Sequence, residues 1–77
     1  MKQPAKAADQ PKTLDTLVTI SDLAIDHRFG ERKPRLSDVA RVVAFASRVL
    51  HIRDLDERIA TENACVLALG KKRGLLS

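Results

Sequence analysis

Two histidines and one cysteine are the residues of this chain best suited to bind a soft metal ion or to act as nucleophiles. They are His27, His51 and Cys65, and no two of them lie closer than 14 residues apart. Zinc-binding motifs place their ligands in pairs that are only about two to five residues apart, so this spacing argues against a metal site. We interpret both histidines as residues at helix ends, and Cys65, which has apolar neighbours, as a small buried hydrophobic residue.

Three acidic residues, Asp54, Asp56 and Glu57, lie close enough in sequence to form a pair of catalytic carboxylates. The spacing of Asp54 and Glu57 is instead typical of a capping box at the start of a helix. The three glycines match no phosphate-binding loop. A chain of 77 residues also has little room for a pocket that excludes water. The sequence therefore predicts a protein that is not an enzyme and that binds no cofactor or metal.

Basic residues are in excess, with 14 lysines and arginines against 10 acidic residues and a net charge of +4. Such an excess favours nucleic-acid binding only when the basic side chains share one surface. The candidates belong to the first loop, the middle helix and the C-terminal end: Arg32, Lys33, Arg35, Arg41, Arg48, Lys71, Lys72 and Arg73. If they converge, the chain is a small dimeric DNA-binding transcriptional regulator. If they do not, they are solvated surface charges.

Acidic residues are concentrated in the first and third expected helices. Residues 13–29 contain three aspartates against one arginine, and residues 54–69 contain four acidic residues against one arginine. Four of these acidic residues are candidates for contact with another protein: Asp22, Asp26, Glu57 and Glu62. Our first hypothesis is therefore a small non-catalytic regulator or adaptor that binds a protein partner through its helical surface.

Other classes are disfavoured by what the chain lacks. Trp and Tyr are absent, and two phenylalanines cannot build a base-stacking platform for single-stranded nucleic acid. No apolar run approaches the roughly 20 residues that cross a bilayer. The first residues also lack the apolar core of a secretory signal. Together with the single cysteine, these features predict a cytoplasmic protein with no membrane contact.

Apolar residues recur at steps of three and four residues in three segments. This period predicts an all-α domain of three helices, near residues 14–28, 38–51 and 55–69. Ser37 is the expected N-cap of the second helix, and Gly70 is expected to follow the end of the third helix.

The remaining residues are expected to form two tails around this domain. Residues 1–12 show no apolar period and predict a flexible basic tail, and residues 71–77 predict a second basic tail, which leaves residues 13–70 as the compact domain. The β-branched residues at 16–20 leave an alternative open. A strand there would pair across a dimer and produce a ribbon-helix-helix fold.

The middle helix is expected to be the central one, because it is apolar or small on most sides. Its small residues Ala40, Ala44 and Ser47 allow close packing, which we interpret as contact within the chain, with a dimer seam or a partner groove as the alternative. A chain of this length buries only about 60% of its unfolded surface. A homodimer with a shared core is therefore a further prediction.

Overall fold

The protein folds into three α-helices. The computed structural model describes the backbone of residues 2–76 and the side chains from Thr13 onward. Helix α1 spans Lys2–Phe29, α2 spans Leu36–Val49, and α3 spans Leu55–Lys72. The prediction of an all-α, three-helix domain is confirmed. Residues 16–20 are helical, so the alternative with a strand at this position is wrong.

Helix α1 begins earlier than the sequence period indicated. It starts at Lys2 rather than near Leu14, so the backbone of residues 2–12, where we expected a flexible tail, continues the helix. Alanine, lysine and glutamine in this segment favour helix even where no apolar face is present. Pro4 lies in the first turn, where proline is tolerated, whereas Pro11 lies inside the helix and has no amide to donate to the carbonyl of residue 7. An apolar period detects the buried part of a helix and misses an extension of this kind.

The core lies where the three helices meet, and each helix contacts both of the others. The buried hydrophobic residues are Leu17, Ile25, Val39, Val42, Val43, Ala46, Cys65 and Leu69. Half of them belong to α2, as expected for the central helix. The stripe of small residues on α2 is not buried as a unit, however, because Ser47 is buried, Ala44 is half-buried and Ala40 is exposed.

The N-terminal ends of α2 and α3 are held by carboxylates. The N-cap of α2 is Arg35, not Ser37, and the Arg35 amide donates to the Asp38 carboxylate at 2.9 Å. Pro34 precedes this cap and is buried. At α3, Asp54 is the N-cap as predicted, and its carboxylate accepts from the amides of Asp56 and Glu57 at 2.9 and 3.3 Å. The return bond from the Asp54 amide to the Glu57 side chain, which would complete the predicted capping box, is absent among the described residues.

Helix α3 continues past Gly70, which we expected to follow its end. Gly70 is a buried residue inside the helix, and an added Cβ would lie 2.9 Å from Leu76 Cγ. The helix ends at Lys72 and is followed by the C-cap Arg73 and by Gly74, which has a φ of 70°. The amides of Gly74 and Leu75 donate to the carbonyls of Lys71 and Gly70, at 3.2 and 2.7 Å. This is the Schellman arrangement, and it turns the chain back so that Leu75 packs against the core.

Candidate functional site

The basic residues at the end of α3 face acidic residues of α1. Lys72 and Arg73 both form ion pairs with Asp22, and Arg73 also donates to Asp26 at 2.8 Å. A further bond joins the Arg73 guanidinium to the backbone carbonyl of Asp22 at 3.3 Å. We call these four residues the α1–α3 ion cluster. It makes the start of the expected 71–77 tail part of the folded domain.

The pKa values inside the ion cluster reflect this pairing. Burial raises the pKa of Asp22, but the hydrogen bonds and charges of Lys72 and Arg73 outweigh burial, so the pKa lies below its ordinary value. The pKa of Arg73 is raised, first by its hydrogen bond to Asp26 and also by Asp22. Both groups therefore stay charged at neutral pH.

Glu62 and Glu57 also lie within the fold. The Ser47 hydroxyl donates to Glu62, and Arg58 Nε lies 3.9 Å from the Glu62 carboxylate. Glu57 is half-buried in the first turn of α3. Three of the four acidic residues expected to contact a partner thus have basic or hydroxyl partners in the chain itself. They do not form one continuous unpaired acidic surface.

A groove between α1 and α2 is lined in part by apolar side chains. It has a volume of about 810 Å³, and apolar side chains from both helices line it: Ala24, Val42, Ala44 and Phe45. Phe45 is 70% exposed although it lies in the middle of α2. A large aromatic side chain left exposed in the lining of a groove is typical of a binding surface.

Basic side chains form the rim of this α1–α2 groove. Arg28 and His27 contribute from α1, and Arg41 and Arg48 contribute from α2. Among the side chains of residues 13–76, no carboxylate forms an ion pair with any of these three arginines. No acidic residue lines the groove, so its potential is positive.

No known family matches this chain. The comparisons returned no matching protein-family model, no matching curated protein and no matching solved structure. The function must therefore be argued from the side chains themselves.

The structure separates the eight basic residues that the sequence grouped as a nucleic-acid surface. Arg41 and Arg48 line the α1–α2 groove together, whereas Lys72 and Arg73 belong to the ion cluster. The other four are exposed, and they line neither this groove nor the smaller cleft between α2 and α3: Arg32, Lys33, Arg35 and Lys71. The Arg32 guanidinium lies 5.6 Å from the centre of the Phe29 ring, a cation–π contact within the chain.

Sequence reasoning missed Phe45 and Arg28 as site residues. The signal for Phe45 was present, because Arg41, Phe45 and Arg48 are spaced by four and three residues and so share a helix face. We assigned most of the surface of α2 to packing, so Phe45 was not considered together with Arg41 and Arg48. Nothing in the local sequence places Arg28 opposite it, since that depends on how α1 lies against α2.

A second, smaller cleft lies where α2 ends and α3 begins. It has a volume of about 450 Å³ and is lined by Ser47, Arg48, His51, Ile52, Arg53 and Arg58. Arg48 lines both this α2–α3 cleft and the α1–α2 groove, so the two concave surfaces adjoin.

The chemically reactive side chains do not cluster in the described structure. Among the described residues, no group of three or more His, Cys, Asp and Glu side chains is placed to hold a metal ion. Cys65 is buried, and burial raises the pKa of its thiol. In the same part of the chain, no helix is long and apolar enough to cross a membrane.

Proposed function

We propose that the protein is a small non-catalytic regulator or adaptor that binds an acidic amphipathic helix of another protein in the α1–α2 groove. The observation that carries the proposal is the exposed Phe45 in a groove that is lined by apolar side chains and by arginines without an ion pair in the described chain. Aromatic residues and arginine are the side chains most enriched at the energetic centres of protein interfaces.

The position of the groove along two helices favours a helix as the partner. The residues of α2 that line it run from Arg41 to Arg48, which is about two turns of helix. A partner helix laid along this face can bury apolar residues at helical spacing against Phe45 and Val42. The arginines at the rim then meet acidic residues flanking the apolar face, which adds specificity and speeds association.

The proposal treats the site as a binding surface without chemistry. No carboxylate, hydroxyl or thiol side chain is among the residues that line the groove. The cytoplasm is the proposed location, because Cys65 is a free thiol and reduced thiols persist there.

Labelled synthetic peptides test the proposal directly. We would measure fluorescence anisotropy with about 16-residue amphipathic peptides. All would carry the same leucine face, and their flanking positions would be glutamate, glutamine or lysine. The glutamate peptide should bind most tightly, and raising the salt concentration should reduce its advantage over the glutamine peptide. Equal binding of all three peptides, or no binding, contradicts the proposal.

Two substitutions locate the binding surface on the protein. Phe45→Ser should weaken binding at least tenfold, and Arg41→Gln about threefold, because they remove the apolar anchor and one rim charge. The matched controls are Leu67→Ser, since Leu67 is an exposed apolar residue of α3, and Arg35→Gln in the exposed loop. If the controls weaken binding as much as the groove variants, the peptide does not bind in the groove.

The alternative occupant of the α1–α2 groove is a second copy of the chain. Sedimentation velocity over a range of concentrations detects a homodimer, and Phe45→Ser reports whether the groove forms it. A dimer that Phe45→Ser dissociates would show that the groove is a self-association surface, and the proposal of a foreign acidic helix would then be wrong.

Duplex DNA is the second candidate partner, and one observation favours it. Arg48 joins the two concave surfaces, so Arg28, Arg41, Arg48 and Arg53 belong to one connected basic region. This hypothesis predicts binding of a labelled random-sequence duplex that weakens steeply with salt, and a smaller slope for Arg41→Gln. Salt-dependent duplex binding without peptide binding would favour the DNA-binding function over the adaptor function.

A further inference from the structure

We propose that the α2–α3 cleft binds the phosphate group of a small organic phosphate. This inference is separate from the proposed function, because it concerns a different concave surface and a different class of ligand. It is carried by three arginines and one histidine that line a single cleft.

The cleft collects its charges from three consecutive parts of the chain. Arg48 lies in the last turn of α2, His51 and Arg53 lie in the connection, and Arg58 lies in the first turn of α3. A short connection between two packed helices brings them around one opening. No carboxylate lines the cleft, and this distinguishes it from the ion cluster at the end of α3.

The arginines of the cleft retain their capacity to bind an anion. Among the side chains of residues 13–76, Arg48 and Arg53 form no ion pair. Arg58 approaches Glu62 only to 3.9 Å, and Glu62 also accepts the Ser47 hydroxyl. Guanidinium groups bind phosphate oxygens through two parallel N–H donors, so several in one cleft suit a doubly charged phosphate.

The binding groups are side chains, not the amides at the start of α3. The Asp54 carboxylate already accepts hydrogen bonds from the amides of Asp56 and Glu57. An anion at that helix end would also meet the acidic residues of the first turn. The cleft therefore draws its positive potential from the arginines and from His51.

The backbone of His51 adds an independent observation. Its φ is 57°, in the left-handed region, and the two other residues with positive φ in residues 2–76 are Gly30 and Gly74. The His51 amide donates to the Arg48 carbonyl at 3.1 Å and ends α2. Glycine is the residue that this backbone conformation favours, and glycine has no side chain. A histidine at this position supplies a ring N–H donor to the cleft instead.

The size of the cleft favours a phosphate that carries an organic group. Its volume of about 450 Å³ lies in the range of small-molecule sites and exceeds what a free phosphate ion fills. Ile52 is half-buried in the lining and offers apolar contact to the remainder of such a ligand.

The test is a titration of the full chain with glucose 6-phosphate, inorganic phosphate and glucose, followed by the amide resonances in NMR spectra. Glucose 6-phosphate should cause saturable shifts centred on residues 51–53, with a dissociation constant below about 1 mM, since this is the weak end of specific binding. Inorganic phosphate should bind more weakly at the same residues, and glucose should cause no shifts. Equal affinity for glucose 6-phosphate and inorganic phosphate would show that the organic group contributes nothing to binding, and the proposal of an organic phosphate ligand would then be wrong.

Substitutions keep the result tied to the cleft. Arg53→Gln should weaken binding about tenfold, as expected when one charged contact to a phosphate is lost. The control Arg35→Gln and the groove variant Phe45→Ser should bind like the unaltered protein. Shifts that rise linearly without saturating, or that fall equally in Arg53→Gln and Arg35→Gln, would show non-specific attraction and overturn the proposal. The amide spectra of the free variants report whether each one is folded.

Discussion

Two regions of this molecule carry positive charge, and the structure gives their basic side chains different surroundings. At the end of α3, Lys72 and Arg73 face two aspartates of α1 and form an ion cluster. On α2, Arg41 and Arg48 line a groove with no carboxylate in its lining. The charges of the first region are paired within the chain, whereas Arg41 and Arg48 form no ion pair among residues 13–76. Net charge alone does not distinguish these two cases.

The difference arises from the two faces of α1. Asp22 and Asp26 are four residues apart, so they share the face of α1 that meets α3. Ala24 and Arg28 share another face, which meets the groove. A single helix therefore supplies carboxylates to one basic region and a further arginine to the other. The acidic composition of α1 indicated only the face that meets α3.

Replacing Asp22 tests the first region most strongly. Asp22→Ala should lower the free energy of unfolding by about 2 kcal/mol, because the Arg73 side chain, which is 18% exposed, and Lys72 each lose their bond to the Asp22 carboxylate. Urea denaturation followed by circular dichroism measures this loss. The control is Asp15→Ala, an exposed residue of the same helix, which should change the value by less than about 0.5 kcal/mol. Equal losses in the two variants would show that the ion cluster does not stabilise the fold.

Acid should weaken the same region. The folded-state pKa of Asp22 lies below its unfolded value, so the unfolded chain binds the proton more readily. The contribution of this group is fully present above the unfolded pKa, near 3.8, and is lost as the pH falls through the folded pKa. Unfolding free energies measured from pH 6 downward should therefore fall less steeply in Asp22→Asn than in the unaltered protein. Identical slopes would contradict the assignment.

Two positions with a positive φ test how much this backbone conformation costs: His51 in the lining of the α2–α3 cleft, and Gly30 directly after α1. His51→Gly should raise the free energy of unfolding by about 1 kcal/mol, because glycine adopts a positive φ without steric cost. Gly30→Ala should lower it by a similar amount, since no atom lies within 4 Å of the added Cβ and only the backbone conformation matters. Thermal or urea denaturation of the pair measures both signs. A loss of stability in His51→Gly would show that the imidazole supports the fold.

The smallest effects on stability are expected in the α1–α2 groove. Phe45→Ser and Arg41→Gln should each change the free energy of unfolding by less than about 0.5 kcal/mol, since both side chains are exposed and Arg41 has no ion pair among residues 13–76. The same denaturation experiment measures this. A loss comparable with that of Asp22→Ala would mean that the groove also serves the fold, and the contrast between the two regions would disappear.

Most of the fold could be predicted from the sequence, because helices are largely local. The spacing of the valines on α2 indicated the buried face, and Asp54 indicated the start of α3. The errors lie where local patterns compete with packing. Ser37 is a good N-cap by residue type, but α2 begins at Leu36 and its N-cap is Arg35, which directly follows the buried Pro34. Gly70 resembled a helix end, yet it is a buried residue that leaves room for Leu76.

The candidate site could be predicted only in part. Arg41 and Arg48 were recognised from their charge, and both line the groove. Asp22, Asp26 and Glu62 were assigned to a partner on the same reasoning, and the structure shows them bound within the chain. Composition locates charges along the sequence, but it contains no information on what lies across from each charge.

Residue spacing was enough to predict the helical class, the three helices and the stripe of α2 that faces the core, because these features arise within one helix. The pairing of charges depends instead on how the helices pack against each other. Asp22 and Arg73 are separated by 51 residues, and their contact depends on how α1 and α3 are rotated against each other. The same rotation leaves Arg28 beside Arg41 and Phe45 at the groove. Helix rotation is set by packing of the whole core, and no local pattern encodes it.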